Sequence, residues 1–299
     1  MSPAASFEIE HTTRYTYAEP ARHCVMALCM RPRDDRRQAL RSFDLWTDPP
    51  STITAECDSF GNAKHVLSVL REHTSIEITA LSRVETHARA DVPGALRGNA
   101  WQHVDALARS FAHWEFSRPS VYARPSPALA AFLRRVDLRR GDDPLQSLIR
   151  LSDTLHETFA YVPGSTTAVS PIDHILESGR GVCQDYAHVM IAVARSWRIP
   201  TRYVSGYLFA SKPGQEELGA QSHAWVECLL PGLSWVGFDP TNRTAPDERH
   251  VRVAVGRDYH DVAPSRGVRV GGGAGLLEVS VRMLALDYGV EQLFYRTMN

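Results

Sequence analysis

Apolar and polar residues alternate along the N-terminal part of the chain, from Phe7 to about Thr86. A period of two residues is typical of strands that bury one face. These residues therefore predict a β-rich module, arranged as a sheet or a β-sandwich. The alternating runs, each bounded by turn residues, are Ser6–Tyr17, Cys24–Arg31, Ser42–Thr47, Ile53–Asp58, Ala63–Leu70 and Thr74–Glu85.

The pattern changes after the segment 91–99, which contains a proline and two glycines and is the best candidate for a linker. Three later segments carry apolar residues at helical spacing, and four short runs have the composition of strands. Helices followed by antiparallel strands are typical of an α+β domain. We therefore expect two domains, a β-rich one at residues 1–90 and an α+β one at 91–299. The predicted helices are Pro127–Val136, Pro144–Phe159 and Gln184–Trp197, and the predicted strands are Thr201–Ala210, Ser222–Leu230, Trp235–Asp239 and Leu276–Leu286.

Cys183 has the most informative local setting in the chain. It follows the glycine-bearing segment 178–181 and comes directly before a predicted helix, so we expect it at the helix N-terminus. The unpaired N–H groups and the positive end of the helix dipole at such a position stabilise a thiolate. Asp185 opposes this effect unless its carboxylate points away or is paired. The sequence therefore predicts a reactive thiol with a lowered pKa at Cys183.

His223 and Asp239 lie on two runs that are predicted to form a hairpin. On the first run His223 and Glu227 share one face. If the turn is centred near Pro231, opposed residue numbers sum to about 462 and Asp239 lies directly across from His223. A register shift of one residue would move Asp239 to the other face, and Glu227 is the alternative partner for the histidine. A cysteine, a histidine and an aspartate supply the nucleophile, the base and the orienting acid of a thiol enzyme.

Several longer segments carry a family resemblance around these three positions. They are Phe159–Tyr161, Gly164–Thr166, Gly181–His188, Ile199–Tyr207, Ser222–Glu227 and Gly237–Asn242, with Ile9–Tyr17 and Asp58–Asn62 in the N-terminal part. Together they resemble the bacterial branch of the transglutaminase-like superfamily of cysteine enzymes. The resemblance covers nearly the whole chain. It implies a papain-like α+β core preceded by a β-rich domain, with Cys183 as nucleophile, His223 as base and Asp239 as orienting acid.

The expected chemistry is thiol-dependent hydrolysis of a peptide or isopeptide amide, or acyl transfer, through an acyl-enzyme. The expected partner is therefore a peptide or protein amide substrate. Besides the backbone N–H of Cys183, Tyr161 and Gln184 are candidate donors to the oxyanion. Three alternatives stay open: a true transglutaminase that joins glutamine and amine groups, a non-catalytic scaffold of the same fold, and an acyltransferase acting on a small amine or thioester. The last ranks lower because no nucleotide-binding motif for a coenzyme is present in the sequence.

Composition limits the other classes of function. The chain has 299 residues and a net charge of -1, so bulk charge predicts no attraction to nucleic acid or to an anionic membrane. The N-terminus lacks a signal-peptide pattern and no apolar run approaches about eighteen residues, so we expect a cytoplasmic protein. Acidic residues interrupt the arginine-rich segments 31–37 and 134–140, which are therefore predicted to be solvated. The oligomeric state is not predicted.

The other cysteines have simple structural interpretations. The five cysteines form an odd set without paired spacing, which argues against a disulfide framework. Cys24 and Cys29 lack a second close pair that would complete a zinc site, and they are predicted to be buried. Cys228 lies on the strand face opposite His223 and is also expected to pack inward.

Three further features are predicted to have no chemical role. His188 lies about 140° around the helix from Cys183 and is expected to be a packed histidine. The glycine-rich segment 271–275 precedes a strand and not a helix, so a loop is predicted there and not a phosphate site. The runs 247–250 and 258–261 lack the ligand spacing of a hard-cation loop. We therefore expect neither a cofactor nor a metal.

Overall fold

The computed structural model describes residues 4–88, 92–96, 98–209 and 220–286, with the backbone alone at 220 and 221. Residues 91 and 97 of the predicted linker and residue 210 of a predicted strand lie outside this range. The elements of the N-terminal part are β1 (Ala5–Leu28), β2 (Gln38–Asp48), β3 (Thr52–Cys57), β4 (Ala63–Val69) and β5 (His73–Thr86). The elements of the middle part are α1 (Ala100–Arg109), α2 (Pro127–Arg135), α3 (Pro144–Thr158), β6 (Ala160–Tyr161), α4 (Ile172–Ser178), β7 (Arg180–Gly181) and α5 (Cys183–Ser196). The remaining elements are β8 (Thr201–Phe209), β9 (Ala220–Leu230), β10 (Ser234–Phe238), β11 (His250–Gly256), α6 (Tyr259–Val262), β12 (Ser265–Gly271) and β13 (Gly275–Ala285).

The N-terminal part forms a seven-stranded antiparallel sheet centred on β1. The two runs predicted at the start of the chain are one long strand, whose register with β5 shifts between Thr16 and Ala21. The first half of β1 pairs with β5, and the second half of β1 pairs with β4. Strands β2 and β3 extend the sheet on the outer sides of β5 and β4.

The last two strands of the chain complete this N-terminal sheet. β12 pairs with the second half of β1 and β13 with the first half, so the two strands follow one another along β1. The glycine-rich segment 271–275 joins them, and Gly271, Gly272 and Gly273 have positive φ. The strand predicted near the C-terminus and the predicted loop are confirmed. The division at residue 90 stays a prediction, although residues 265–285 share a sheet with residues 5–86.

A second sheet has the order β10-β9-β8-β11 and lies against α5. Because α5 is in contact with β8 and β9 as well as with α3 and α4, nearly all of its side chains are buried. Phe7 and Ile9 of β1 and Met283 of β13 belong to the same apolar cluster as α5. The α+β fold class is therefore confirmed, and one continuous core connects it to the N-terminal sheet. No helix of the described residues is long and apolar enough to cross a membrane.

Two of the four arginines of the segment 31–37, Arg33 and Arg37, differ from the prediction of a solvated face, whereas Arg31 and Arg36 are exposed as predicted. Arg33 Nη1 donates to Asn62 Oδ1 at 2.7 Å, and Arg37 Nη1 donates to Glu227 Oε1 at 3.3 Å. The reason is the buried carboxylate of Glu227, which needs cationic partners that the sequence pattern does not reveal. The arginines of the segment 134–140 are exposed, as predicted.

Candidate active site

Cys183 is the first residue of α5, as predicted, and is partly exposed. The backbone two residues before Cys183 packs so closely on α4 that only a glycine fits there. A Cβ atom at Gly181 would lie 2.4 Å from Ile175 Cδ1. Val182 is the extended N-cap residue, and its N–H donates to Asp185 Oδ2 at 2.8 Å. The first N–H groups of α5, including that of Cys183, have no partner within the helix and point out of its N-terminus.

The carboxylate of Asp185 is paired with hydrogen-bond donors. The sequence required such pairing if a reactive thiol was to lie within one helical turn of it. Its Oδ2 accepts hydrogen bonds from Thr166 Oγ1 at 2.6 Å and from the Val182 N–H. Burial raises the pKa of Asp185, and these two hydrogen bonds oppose the increase. The carboxylate therefore acts as a cap of α5, held away from solvent.

His223 of β9 is buried and contacts Asp239 directly. Its Nε2 lies 2.8 Å from Asp239 Oδ2. An ionised carboxylate only accepts hydrogen bonds, so Nε2 carries a hydrogen and Nδ1 is the nitrogen left for a partner on the other side of the ring. His223 and Cys183 line the same cleft.

The predicted hairpin forms, but its register differs from the prediction by two residues. Phe238 pairs with Val226 and not with Ala224, because the loop between β9 and β10 is centred one residue later than Pro231. A shift of two preserves the face of every side chain, so Asp239 still reaches His223, diagonally instead of directly. β10 ends at Phe238, just before Asp239.

Asp239 is fully buried and accepts five hydrogen bonds. Its donors are His223, His250 (3.3 Å), the Asn242 side chain (2.7 Å) and the backbone N–H groups of Thr241 and Asn242. Burial would raise the pKa of Asp239, but the hydrogen bonds from His223 and His250 outweigh it and hold the pKa well below its usual range. The sequence pattern does not identify His250 or Asn242 as partners of Asp239. Asn242 lies within a segment of the family resemblance, which was the available signal.

The electrostatics of the site favour a charged His223. Burial alone lowers the pKa of His223, whereas the hydrogen bonds and charges of Asp239 and Cys183 raise it to about 10. The imidazole is therefore protonated at neutral pH when the sulfur is anionic. The Asp239 carboxylate therefore stabilises the imidazolium form of His223.

The cleft has a volume of about 500 Å³ and two walls of different origin. One wall comes from the core and includes Cys183, His223 and Tyr161. The opposite wall comes from the N-terminal sheet. It is formed by His11, Thr13 and Tyr15 of β1 and by Leu277, Val279 and Val281 of β13.

Three side chains able to bind a metal lie together beside the cleft. The ligand atoms of His223, Asp239 and His250 are within 4.8 Å of one another. Both histidines already donate to the carboxylate, and the Asp247 N–H donates to His250 Nδ1 at 3.1 Å. The three side chains therefore form a hydrogen-bond network. The expectation of no metal stays a prediction.

The remaining candidates have other partners. Glu227 is fully buried and bound by three arginines, so it does not orient His223. Tyr161 and Gln184 both line the cleft, but the Gln184 side chain is buried and donates to Ala168 O at 2.9 Å, whereas Tyr161 is 46% exposed. Burial raises the pKa of Tyr161, and the charge of Cys183 raises it further. Tyr161 is therefore the better placed of the two candidate oxyanion donors.

The residues predicted to pack do so. His188 is fully buried between aromatic rings, with centroid distances of 5.4 Å to Tyr122 and 5.1 Å to Tyr203, and burial lowers its pKa to about 3. Cys228 is fully buried in the core behind β9, as predicted. Cys24 and Cys29 are also buried, and all five cysteines are free thiols.

Comparison with known proteins places the chain in a family. Residues 7–85 match the family model described as "Bacterial transglutaminase-like N-terminal region". Residues 132–240 match the family model described as "Transglutaminase-like superfamily". An uncharacterized protein of Mycobacterium leprae is 30% identical over 280 residues, which are 93% of this chain and 98% of that protein. An uncharacterized protein of Mycobacterium tuberculosis is 30% identical over 293 residues, covering 90% of this chain and 88% of that protein.

Among solved structures, "a Putative Cysteine Protease from Cytophaga hutchinsonii" has the same fold. It superposes with a TM-score of 0.75 at 22% identity and covers 96% of this chain and 92% of that one. The match extends through both the N-terminal sheet and the core. The chain belongs to the bacterial branch of the transglutaminase-like superfamily, and its fold is a transglutaminase-like core with an N-terminal β-rich region.

Proposed function

We propose that the protein is a thiol-dependent amide hydrolase in which Cys183, His223 and Asp239 act as a catalytic triad. The observation that carries the proposal is the 2.8 Å hydrogen bond from His223 Nε2 to Asp239, on a histidine that shares the cleft with Cys183. The bond fixes the ring so that Nδ1 is available to the sulfur. The raised pKa of His223 supports an imidazolium that can protonate a leaving group.

In the first half of the reaction, the Cys183 thiolate attacks the carbonyl carbon of an amide. The negative charge of the tetrahedral intermediate is stabilised by the Cys183 N–H at the start of α5 and by the Tyr161 hydroxyl. His223 donates its Nδ1 proton to the amide nitrogen as the C–N bond breaks. The amine leaves, and the acyl group remains on the sulfur as a thioester.

In the second half, neutral His223 removes a proton from a water molecule. The resulting hydroxide attacks the thioester carbonyl, and the C–S bond breaks. The carboxylic acid leaves, and the thiolate–imidazolium pair is restored. Asp239 stabilises the imidazolium in both halves without being protonated, which agrees with its depressed pKa.

The lining of the cleft favours water as the second acceptor. Among the described residues that line it, there is no aspartate, glutamate, lysine or arginine. A lysine side chain that competed with water would have to lose its hydration without a carboxylate nearby to compensate. Hydrolysis is therefore preferred over transfer to an amine.

The test is turnover in water enriched in ¹⁸O, with a library of peptides, isopeptides and glutamine-containing peptides, followed by mass spectrometry. We expect new carboxyl groups that carry one ¹⁸O, with or without added methylamine, and we expect Cys183→Ala to abolish them. Cys57→Ala is the matched control, because Cys57 is an exposed thiol remote from α5 in the sequence and should be dispensable.

Two outcomes would overturn the proposal. Methylamine adducts in place of new acids would identify a transglutaminase. Absence of turnover, together with iodoacetamide labelling that Cys183→Ala leaves unchanged, would identify a non-catalytic scaffold.

A further inference from the structure

Within the described part of the chain, the inner face of β13 is apolar along its whole length and is covered at only one end. Met283 is fully buried in the core, and Val281 is partly buried. Val279 and Leu277, further along the same face, are 53% and 52% exposed. Because one face of an antiparallel strand normally packs on a core, exposed apolar residues on that face indicate a surface that another molecule covers.

The uncovered part of this face borders the catalytic cleft. Leu277 pairs with Tyr15 and Val279 pairs with Thr13, and all four residues line the cavity that contains Cys183. An apolar group bound against Leu277 and Val279 would therefore lie in the same cavity as the nucleophile. The cavity of about 500 Å³ has the size of a pocket for a small ligand or a short peptide segment.

The polar residues of this wall are uncharged. His11 Nδ1 lies 2.9 Å from Tyr207 Oη, and burial lowers the pKa of His11 to about 4, so its ring is neutral at pH 7. The described lining residues include no aspartate, glutamate, lysine or arginine, and the raised pKa of His223 keeps its imidazole charged at neutral pH. A wall of this kind favours a neutral, apolar group and disfavours a charged one, which would lose its hydration there.

The outer edge of β13 provides a place for a peptide backbone. Within the described residues, β13 pairs with β1 along one edge and with no strand along the other. An extended peptide that adds to such an edge gains backbone hydrogen bonds, and its alternate side chains become cross-strand neighbours of those on β13.

We propose that Leu277 and Val279 determine substrate specificity by binding the apolar side chain next to the reacting carbonyl of an extended peptide laid along β13. This inference rests on the proposed function, because it assumes that Cys183 attacks the bound peptide. It assigns the substrate class as peptides with an aliphatic or aromatic residue next to the reacting amide. It also gives the N-terminal sheet a role in selecting the substrate.

The test uses peptidyl vinyl sulfones, which alkylate a reactive thiol without requiring the natural substrate. Two acetylated dipeptide probes differ only at the residue next to the reactive group, leucine in one and serine in the other. The second-order rate constant of Cys183 labelling is measured for each probe, and iodoacetamide reports the intrinsic reactivity of the thiol. We expect the leucine probe to react about 10-fold faster than the serine probe.

Leu277→Thr and Val279→Thr keep a residue suited to a strand and remove apolar surface from the cleft. We expect each variant to reduce the preference for leucine several-fold and to leave the iodoacetamide rate unchanged. Leu276→Thr is the matched control, since Leu276 is the same residue type on the same strand, is 61% exposed and does not line the cleft. It should retain the full preference.

Equal rates for the two probes, or an equal loss in all three variants, would overturn this inference while leaving the proposed function intact. Failure of the proposed function is recognised separately, as absence of Cys183 labelling by any reagent. Sedimentation velocity of the wild type and Leu277→Thr measures whether the protein forms a dimer through this face. A dimer that dissociates in the variant would mean that this face binds a second copy of the chain, and the inference would then be wrong.

Discussion

His223 and Asp239 are joined by a 2.8 Å hydrogen bond, although the strands that carry them do not place the two residues directly opposite each other. The contact is diagonal, from a histidine within β9 to an aspartate just beyond the end of β10. Asp239 is held in place by the backbone of the turn that follows, where its N–H donates to Thr244 O and the Thr244 N–H donates back. The orientation of His223 therefore depends on a turn as much as on the sheet.

The first prediction concerns the protonation of His223 in Cys183→Ala. The hydrogen bond and the charge of the sulfur both raise the pKa of His223, and the variant removes both. We expect the pKa of His223 to fall from about 10, so that the imidazolium is lost at a lower pH than in the wild type. NMR titration of ¹⁵N-labelled histidine measures this change. His11, with a pKa of about 4, serves as an internal control that should not move.

An unchanged pKa of His223 in this variant would show that the sulfur does not interact with the imidazole. The raised pKa would then depend on Asp239 alone, and the nucleophile assignment would lose its electrostatic support.

The second prediction concerns Asp239→Asn. An asparagine retains the shape of the side chain but removes the charge that stabilises the imidazolium and fixes the hydrogen on Nε2. We expect turnover to fall by up to about 10⁴-fold and the pKa of His223 to fall, while circular dichroism shows a folded protein. Steady-state kinetics on a substrate found by the ¹⁸O assay measures the effect. Asp153→Asn is the control, because Asp153 pairs with the half-exposed Arg243 on the surface.

An Asp239→Asn variant with the wild-type rate would exclude an orienting role for the carboxylate. A loss of the same size in Asp153→Asn would indicate a general effect on folding instead.

The sequence predicted the parts of this site that depend on local patterns. The start of a helix at Cys183, the strand at His223 and the shared face of His223 and Asp239 follow from helical and strand periods within about twenty residues. The register was displaced by two residues because the centre of the loop after Pro231 has no clear local signal. The prediction that His223 and Asp239 share one face still holds, because strand side chains return to the same face every two residues.

The opposite wall of the cleft could not be predicted in the same way. Residues 276–286 were recognised as a strand, but nothing local in that strand indicates that it pairs with β1, which lies more than 250 residues earlier in the chain. Long-range pairing is a property of the packed sheet and leaves no periodic signature. His250 was missed for a similar reason, because the run 247–250 was considered only as a cation loop and nothing local in it indicates that the fold turns His250 inward onto Asp239.

The third prediction concerns Tyr161→Phe. Tyr161 is brought beside Cys183 because β6 pairs with β7, which places Tyr161 opposite Gly181. If the phenol donates to the oxyanion, its removal should lower kcat by about 10²–10³-fold with a much smaller change in KM. Steady-state kinetics measures kcat and KM separately and so tests this difference. Tyr122→Phe is the control, since Tyr122 stacks on His188 behind the site.

A Tyr161→Phe variant that changes only KM would assign the phenol to substrate binding. The second oxyanion donor would then have to come from another group at the start of α5.

The last prediction concerns Glu227, which joins the N-terminal sheet region to the core. Its carboxylate is fully buried and receives hydrogen bonds from Arg202 at 2.6 and 2.8 Å, from Arg252 at 3.2 Å and from Arg37 at 3.3 Å. Burial raises the pKa of Glu227, but the charges of the three arginines outweigh it, and the pKa is lowered. Glu227→Gln leaves these cations without their shared counter-charge. We expect the free energy of unfolding at pH 7 to fall by about 3–5 kcal/mol.

The pH dependence of this effect has a definite sign. A carboxylate with a folded-state pKa below its unfolded value of about 4.3 contributes its full stabilisation above that pH and loses it as the pH falls through the folded pKa. The difference between the wild type and Glu227→Gln in urea unfolding should therefore be largest near neutral pH and should shrink below about pH 4. Glu77→Gln is the control, because Glu77 pairs with the exposed Arg14 and should contribute less than about 1 kcal/mol. Equal losses in the two variants, or a difference that grows in acid, would mean that Glu227 does not stabilise the fold through its charge.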